Sequence, residues 1–399
     1  MSSERVFDLA IAGGGIVGAA CALACAQRGL RVALVERDTF GSGATAAGMG
    51  HIVVMDDSES QFALTRYSQQ LWHKLAETLP ATAEYEQRGT LWIAADSEEM
   101  EAAEKKYHWY SQRSVPCAIL TAAQLAGIEP NLVDGLAGAL LVKEDAVVYP
   151  PTVALELARR AERLGATVFL GRSVGKLGRG SLRLDDGVEV SADRLILALG
   201  AESVQLAPDL PIRKRKGHLV ITDRYPGFVH HQLVELGYLK SAHSTSSDSV
   251  AFNVQPRQTG QILIGSSRQF GVEDTEVDQH ILSAMLARAA RYLPGIRSLS
   301  AIRVWTGFRA ATPDKLPLIG PDLRDSTLFL ATGHEGLGIT TSLATAELVA
   351  DQLTNRGSAI AAEPYLPARY AHVQTSGTEC RQEENYAMDW SHAGADHGL

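Results

Sequence analysis

Between Phe7 and Glu36 the sequence runs strand, glycine turn, helix, strand and acid in that order, a succession that few folds accept. Phe7-Asp8-Leu9-Ala10-Ile11-Ala12 has the apolar character of a buried parallel strand. Gly13, Gly15 and Gly18 follow in G-x-G-x-x-G spacing, and small residues from Ile16 and Val17 predict a helix over 16–28, closed by Gly29. A second strand over 31–35 ends at Glu36. Gly13 permits a tight turn, Gly15 lets backbone approach a pyrophosphate, and Gly18 lets the helix pack closely on the strand. The helix N-terminus offers unpaired N–H groups and partial positive charge to phosphates. Glu36, eighteen positions after Gly18, stands where a carboxylate accepts ribose hydroxyls; it would repel a 2′-phosphate, which disfavours NADP. The unit predicts a dinucleotide without separating FAD from NAD.

Directly after the second strand comes Ser42-Gly43-Ala44-Thr45-Ala46-Ala47-Gly48-Met49-Gly50. So many small residues either let backbone approach a planar ring or form a flexible linker. The uncharged stretch over 9–26 has transmembrane length by count, but Gly13, Gly14, Gly15 and Gly18 break it. It reads as strand, turn and buried helix, not as a signal sequence or a span.

A formal net charge of −9 argues against a nucleic-acid binder. The exception is Arg213-Lys214-Arg215-Lys216, read as a solvated surface loop or as a contact for an anionic partner or lipid headgroup. Cys21, Cys25, Cys117 and Cys380 lack metal or redox spacing; Cys21 and Cys25 share a helix face as apolar packers. A reducing cytoplasm fits this usage.

Farther along, helices are predicted over 60–79, 97–113 (charged and exposed), 152–164, 278–293 and 340–353, with Thr121 capping another. Strands are predicted over 87–95, 166–170, 194–199 and 328–331, with a hairpin-like piece over 181–190, and short β runs separated by turns fill 217–271. The fold class that follows is α/β: a doubly wound Rossmann-type domain of the glutathione-reductase kind, with an inserted antiparallel-sheet substrate domain. The nucleotide-binding part takes 1–85, 145–215 and 300–372; the substrate or cap part takes 86–144 and 216–299; and 373–399 reads as a poorly ordered tail.

Four blocks in order resemble the D-amino-acid oxidase and glycine/sarcosine oxidase family over roughly residues 5–370. They are the fingerprint, the small-residue run through His51, Leu195-Ile196-Leu197-Ala198-Leu199-Gly200-Ala201, and a C-terminal pair. That pair is Gly307-Phe308-Arg309-Ala310-Ala311-Thr312-Pro313-Asp314-Lys315-Leu316-Pro317-Leu318-Ile319-Gly320 and Thr332-Gly333-His334-Glu335-Gly336-Leu337-Gly338. Within the family, AAGMGHIVVMDDS (46–58) and TGHEGLGITTS (332–342) look most like the flavin subunit of D-hydroxyproline dehydrogenases.

The resemblance implies FAD, held noncovalently because Gly307 stands where some members carry the attaching cysteine. It implies oxidation of the C–N bond of a small D-amino or imino acid, cis-4-hydroxy-D-proline or D-proline, by hydride transfer to flavin N5. Cofactor contacts are expected from Gly13, Gly15, Ile16, Val17, Gly18, Glu36, Arg37, Thr45, Ala46, Gly48, Met49, Val174 and Gly200, and from Gly336, Leu337, Gly338 and Ile339 at the carbonyl edge of the ring. Arg309 falls where the family's carboxylate-binding arginine stands, although Ala310 replaces the usual proline after it. An interfacial ion pair is its other reading. His334 and His51 are candidates for contact with substrate or flavin, or are structural. Two other functions compete: a glycine/sarcosine-type oxidase using O2, and a noncatalytic FAD-binding subunit. A partner subunit or peripheral attachment to the inner membrane face is compatible with the basic run and the tail.

Overall fold

The computed structural model describes residues 7–237 and 248–371, so the tail predicted to be poorly ordered lies outside the described residues. Two eight-stranded sheets organise the chain. In the first, β1 (Phe7–Ala12) lies between and parallel to β2 (Val32–Glu36) and β11 (Glu189–Leu197). β8 (Thr167–Leu170) and β18 (Leu328–Thr332) extend the parallel core, and β17 (Leu318–Pro321) closes one edge antiparallel. β9 (Val174–Gly178) and β10 (Ser181–Leu184) form a meander folding back on β11.

The core strands are apolar because both faces are covered. One face packs α1 (Ile16–Gln27), α2 (Glu59–Ala76), α5 (Pro150–Arg163) and the last helix, Gly338–Leu353; the other packs the meander and the segment through Leu210 and Ile212. Because α1 is wedged between α5 and the last helix, it is apolar nearly all round and lacks an amphipathic stripe. Cys21 and Cys25 are buried, free thiols within it.

The second sheet runs β16 (Ala301–Ala311), β12 (Arg213–Thr222), β15 (Ile262–Phe270), β14 (Ser249–Pro256), β13 (Gln232–Glu235), β4 (Thr90–Ala94), β6 (Gly138–Val142) and β5 (Cys117–Thr121). Its neighbours pair antiparallel except β13 and β4, which run parallel. These two come from distant parts of the chain, so no tight turn imposes an antiparallel direction on them. The helix Gln279–Tyr292 covers one face. On the far half of the other face, α3 (Ser97–Gln112), predicted to be exposed, buries Lys106 and Tyr110. Lys106 pairs with Asp56 and lies 4.9 Å from the Trp92 ring centroid.

Two expectations need correction. The segment 300–372 was placed wholly in the nucleotide-binding part, yet Ala301–Ala311 pairs along the length of β12 and belongs to the second sheet. Nor is Arg213-Lys214-Arg215-Lys216 a surface loop, since it opens β12. Arg215 and Lys216 are 4% and 1% exposed. Arg215 pairs with Glu335 at 2.7 Å and its guanidinium lies 4.2 Å from the Phe270 ring centroid, while Lys216 pairs with Asp274 at 2.7 Å. Four like charges in a row hide the alternation of a strand, and partners from distant segments make their burial tolerable.

Candidate active site

The glycine cradle is set by close contacts. Gly13 has φ +106°, and a Cβ there would lie 2.7 Å from the Ala198 carbonyl oxygen; one on Gly18 would lie 1.9 Å from the Gly13 carbonyl oxygen. α1 therefore sits directly on the turn, next to the end of β11. Gly15 is the helix N-cap and supplies no side chain, so the cap residue itself leaves the N–H groups after Ile16, including that of Val17, uncovered. The Thr45 hydroxyl accepts from the Ile16 N–H at 3.0 Å, tying the small-residue run to the helix start. Glu36 accepts from the N–H groups of Gly14 at 2.7 Å and Asp38 at 2.8 Å; each carboxylate oxygen keeps a lone pair for a ribose hydroxyl.

Arg37 extends outward, pairing with Asp38. The backbone N–H of Arg172 donates to the Glu36 carbonyl, which sets Val174 close behind on β9. Gly200, at φ +57°, accepts from the Thr332 hydroxyl through its carbonyl at 3.0 Å. A glycine cradle that any Cβ would fill, a helix start whose cap residue has no side chain and a buried acid fit the phosphates and ribose of a dinucleotide.

The other end of the trough is built from three segments remote in sequence. Gly48, near the end of the small-residue run, lies against the start of the last helix: a Cβ on it would be 2.7 Å from Ile339 Cδ1. Leu337 caps that helix without a side-chain hydrogen bond, and Gly336 and Gly338 flank it. From the second sheet, Gly307 comes so close that its Cβ would be 2.4 Å from that of Ala47, and Gly265 meets Met49 in the same way, at 3.0 Å from its Sδ. These contacts bring a face of small residues up to the trough.

Arg309 projects from β16 across β12. Its guanidinium passes over Gly217, where a Cβ would lie 2.5 Å from Nη1, and Nη1 donates to the Ser267 carbonyl at 3.0 Å. Its Nε lies 3.5 Å from a Cβ built on Gly336, so it borders both the second sheet and the loop before the last helix. His51 is fixed through its carbonyl, which accepts from Thr340 Oγ1 at 2.9 Å; burial holds its ring down to about 3, so it is neutral. His334 is turned away from the trough. Its Nε2 meets Thr345 Oγ1 on the last helix at 3.0 Å, and burial lowers it to about 4, which gives it a structural place. Asn253, Gln255, Gly217 and Ser267 also line this region and were not anticipated from the sequence.

A dinucleotide laid along the cradle would end between the small-residue turn and the second sheet, the layout of a flavin-dependent oxidoreductase. The family model described as FAD dependent oxidoreductase (DAO) matches residues 8–352, and the chain belongs to that family. It is an FAD-dependent enzyme. It is similar to glycine oxidase of Geobacillus kaustophilus, 28% identical over 388 residues that cover 94% of this chain and 99% of the relative. It is also similar to hydrogen cyanide synthase subunit HcnC of Pseudomonas aeruginosa, 26% identical over 92% of this chain and 97% of that one. The crystal structure of the Geobacillus glycine oxidase superposes with a TM-score of 0.81, covering 91% of this chain and 98% of that chain. L-proline dehydrogenase from P. horikoshii shares the fold, with a TM-score of 0.82 at 22% identity. Among the described residues no helix is long and apolar enough to cross a membrane.

Proposed function

We propose that this chain oxidises the C–N bond of a small D-amino or imino acid to the imine, with cis-4-hydroxy-D-proline and D-proline the foremost substrates. The observation that carries the reading is Arg309, whose planar, permanently charged fork lies over Gly217 of the second sheet and beside Gly336 in the loop before the last helix. Such a fork suits a carboxylate. Held there, the substrate would present its amine-bearing carbon toward the small-residue turn. Bound FAD, retained noncovalently, supplies the acceptor for the two electrons of the C–H bond that breaks. The chain's own residues hold the carboxylate, shape the pocket and exclude water. His51, neutral and buried, adds no competing cation.

A second reading, a glycine or sarcosine oxidase that passes electrons to O2, is favoured by the resemblance to glycine oxidases. A partner subunit as electron acceptor is supported by the likeness to a hydrogen cyanide synthase subunit. Anaerobic bleaching of the yellow holoenzyme by cis-4-hydroxy-D-proline, D-proline, D-alanine, glycine and sarcosine separates the readings. Fast bleaching by the D-prolines with slow recovery in air supports the dehydrogenase; bleaching by glycine with rapid recovery in air replaces it with the oxidase. Arg309→Ala is expected to raise KM, with kcat/KM falling about ten- to hundredfold, as loss of a charged hydrogen-bond partner implies, while bound flavin stays unchanged. Loss of flavin instead would refute the carboxylate role.

A further inference from the structure

On the sheet face turned toward Met49, Asn253 Oδ1 is buried and has no hydrogen-bond partner among the described residues. Gln255 Oε1 and His51 Nε2 are buried as well, with the Gln255 amide near enough to the ring to favour its protonated form. Asn253 and Gln255 stand two apart on β14, so both side chains leave the sheet on one face. Phe252 and Val254 point oppositely, into the core beneath the helix Gln279–Tyr292. Gln255 is fixed by donating through Nε2 to the Met49 carbonyl at 2.5 Å, which leaves its own carbonyl oxygen over. Asn253 pairs in register with Gly265, whose missing side chain opens the space against Met49 Sδ. A buried oxygen without a donor costs about 1–3 kcal/mol, and Asn253 Oδ1 is such an oxygen.

The position of this pair relative to Arg309 gives the span of the ligand. The guanidinium donates to the carbonyl of Ser267, two residues from Gly265 along β15. Two residues of strand measure about 7 Å, and Asn253 lies one strand, about 5 Å, to the side. A small amino acid held by its carboxylate at Arg309 therefore brings its far end to Asn253. A methylene there would leave the Asn253 oxygen bare, and a second carboxylate would oppose it. A hydroxyl donates to one carbonyl oxygen and can accept from the single N–H of a neutral imidazole.

We propose that Asn253, with Gln255 and His51 beside it, is the specificity subsite for a hydroxyl at the far end of the substrate, so that the enzyme prefers a hydroxylated amino or imino acid to its deoxy counterpart. This rests on the reading of Arg309 as the carboxylate fork.

The test compares kcat/KM for two pairs, cis-4-hydroxy-D-proline against D-proline and D-serine against D-alanine, in wild type, Asn253→Ala and Asn253→Asp. Calorimetric Kd values for the same ligands on the dithionite-reduced holoenzyme give an arm free of turnover. Wild type is expected to favour the hydroxylated member at least about tenfold, and Asn253→Ala to lose about ten- to hundredfold on that member alone. Asn253→Asp, which keeps the acceptor, retains the preference; it also stands in if Asn253→Ala fails to fold. Equal losses on both members, a wild type indifferent to the hydroxyl, or a variant that sheds flavin would each overturn the subsite. If neither pair is oxidised, the proposed reaction falls, and the binding arm still decides whether Asn253 reads a hydroxyl.

Discussion

A methyl group at residue 18 would have to occupy space 1.9 Å from a carbonyl oxygen of the turn it packs on. Nothing flexible is present to yield, so the helix must lift from the strand. Gly18→Ala is expected to purify with normal far-UV circular dichroism and at least about tenfold weaker FAD retention, since one tenfold corresponds to only 1.4 kcal/mol of misfit. The flavin-to-protein absorbance ratio after dialysis checks this, and full flavin content would contradict the close-packing argument. Residues of this kind are legible in sequence because their demand is on the backbone and local. Glu36 and Thr45 are expected from the sequence to meet the cofactor, and each is found accepting from an N–H of the fingerprint. Asn253 was not. Its signal is a polar residue alternating with apolar ones in Ala251-Phe252-Asn253-Val254-Gln255, and alternation alone marks any half-solvated strand. What makes it a site residue is its register with Gly265, which meets Met49, more than two hundred positions away. For His334 the sequence leaves a ligand contact and a structural place both open, because a motif beside the trough does not say which partner its ring meets; in the fold Nε2 meets Thr345 Oγ1.

Among the elements, β12 was the one least readable from its residues. Its buried Arg215 is sustained by Glu335, which itself adopts φ +51° in the loop leading to the last helix. Glu335→Gln would leave the guanidinium buried without its carboxylate, at a cost of about 3–5 kcal/mol. Adding Arg215→Met to that variant is expected to recover much of the loss, since the stem already packs on Phe270. Thermal unfolding of the single and double variants decides the matter; an additive double variant would show that the pair does not act as a unit. Caps behave more simply. Thr121, predicted as a helix start, forms a full capping box with Gln124 at α4 (Ala122–Ile128). Thr121→Ala is expected to cost about 1 kcal/mol in urea unfolding, with flavin spectra unchanged.

For the molecule as a whole, buried titratable groups set opposing pH responses. Burial holds His51 near 3 and His334 near 4, below the ordinary 6.5, so the unfolded chain binds more protons between those values. Stability they permit near neutral pH is therefore lost as pH falls from about 6.5 toward 4. Asp145 runs the other way. Burial raises its carboxyl from 3.8 to about 7 despite hydrogen bonds from Val54 and Gln69, so its contribution is lost as pH rises through that window. Asp145→Asn keeps an oxygen for the Val54 N–H and is expected to add about 1 kcal/mol or more at pH ~8 and almost nothing at pH ~4. Denaturant unfolding at the two pH values measures this directly; equal effects at both would rule out titration as the cause.

The first sheet also has an order of assembly written into its strand order. β1 and β2 are near the start of the chain, but β18, which pairs with β11, and the last helix, which closes the trough against Gly48, come only after Thr327. A chain cut before Leu328 lacks that strand and that wall, so it is expected to carry the whole fingerprint and yet to retain FAD far more weakly than the full chain, which flavin content after dialysis checks.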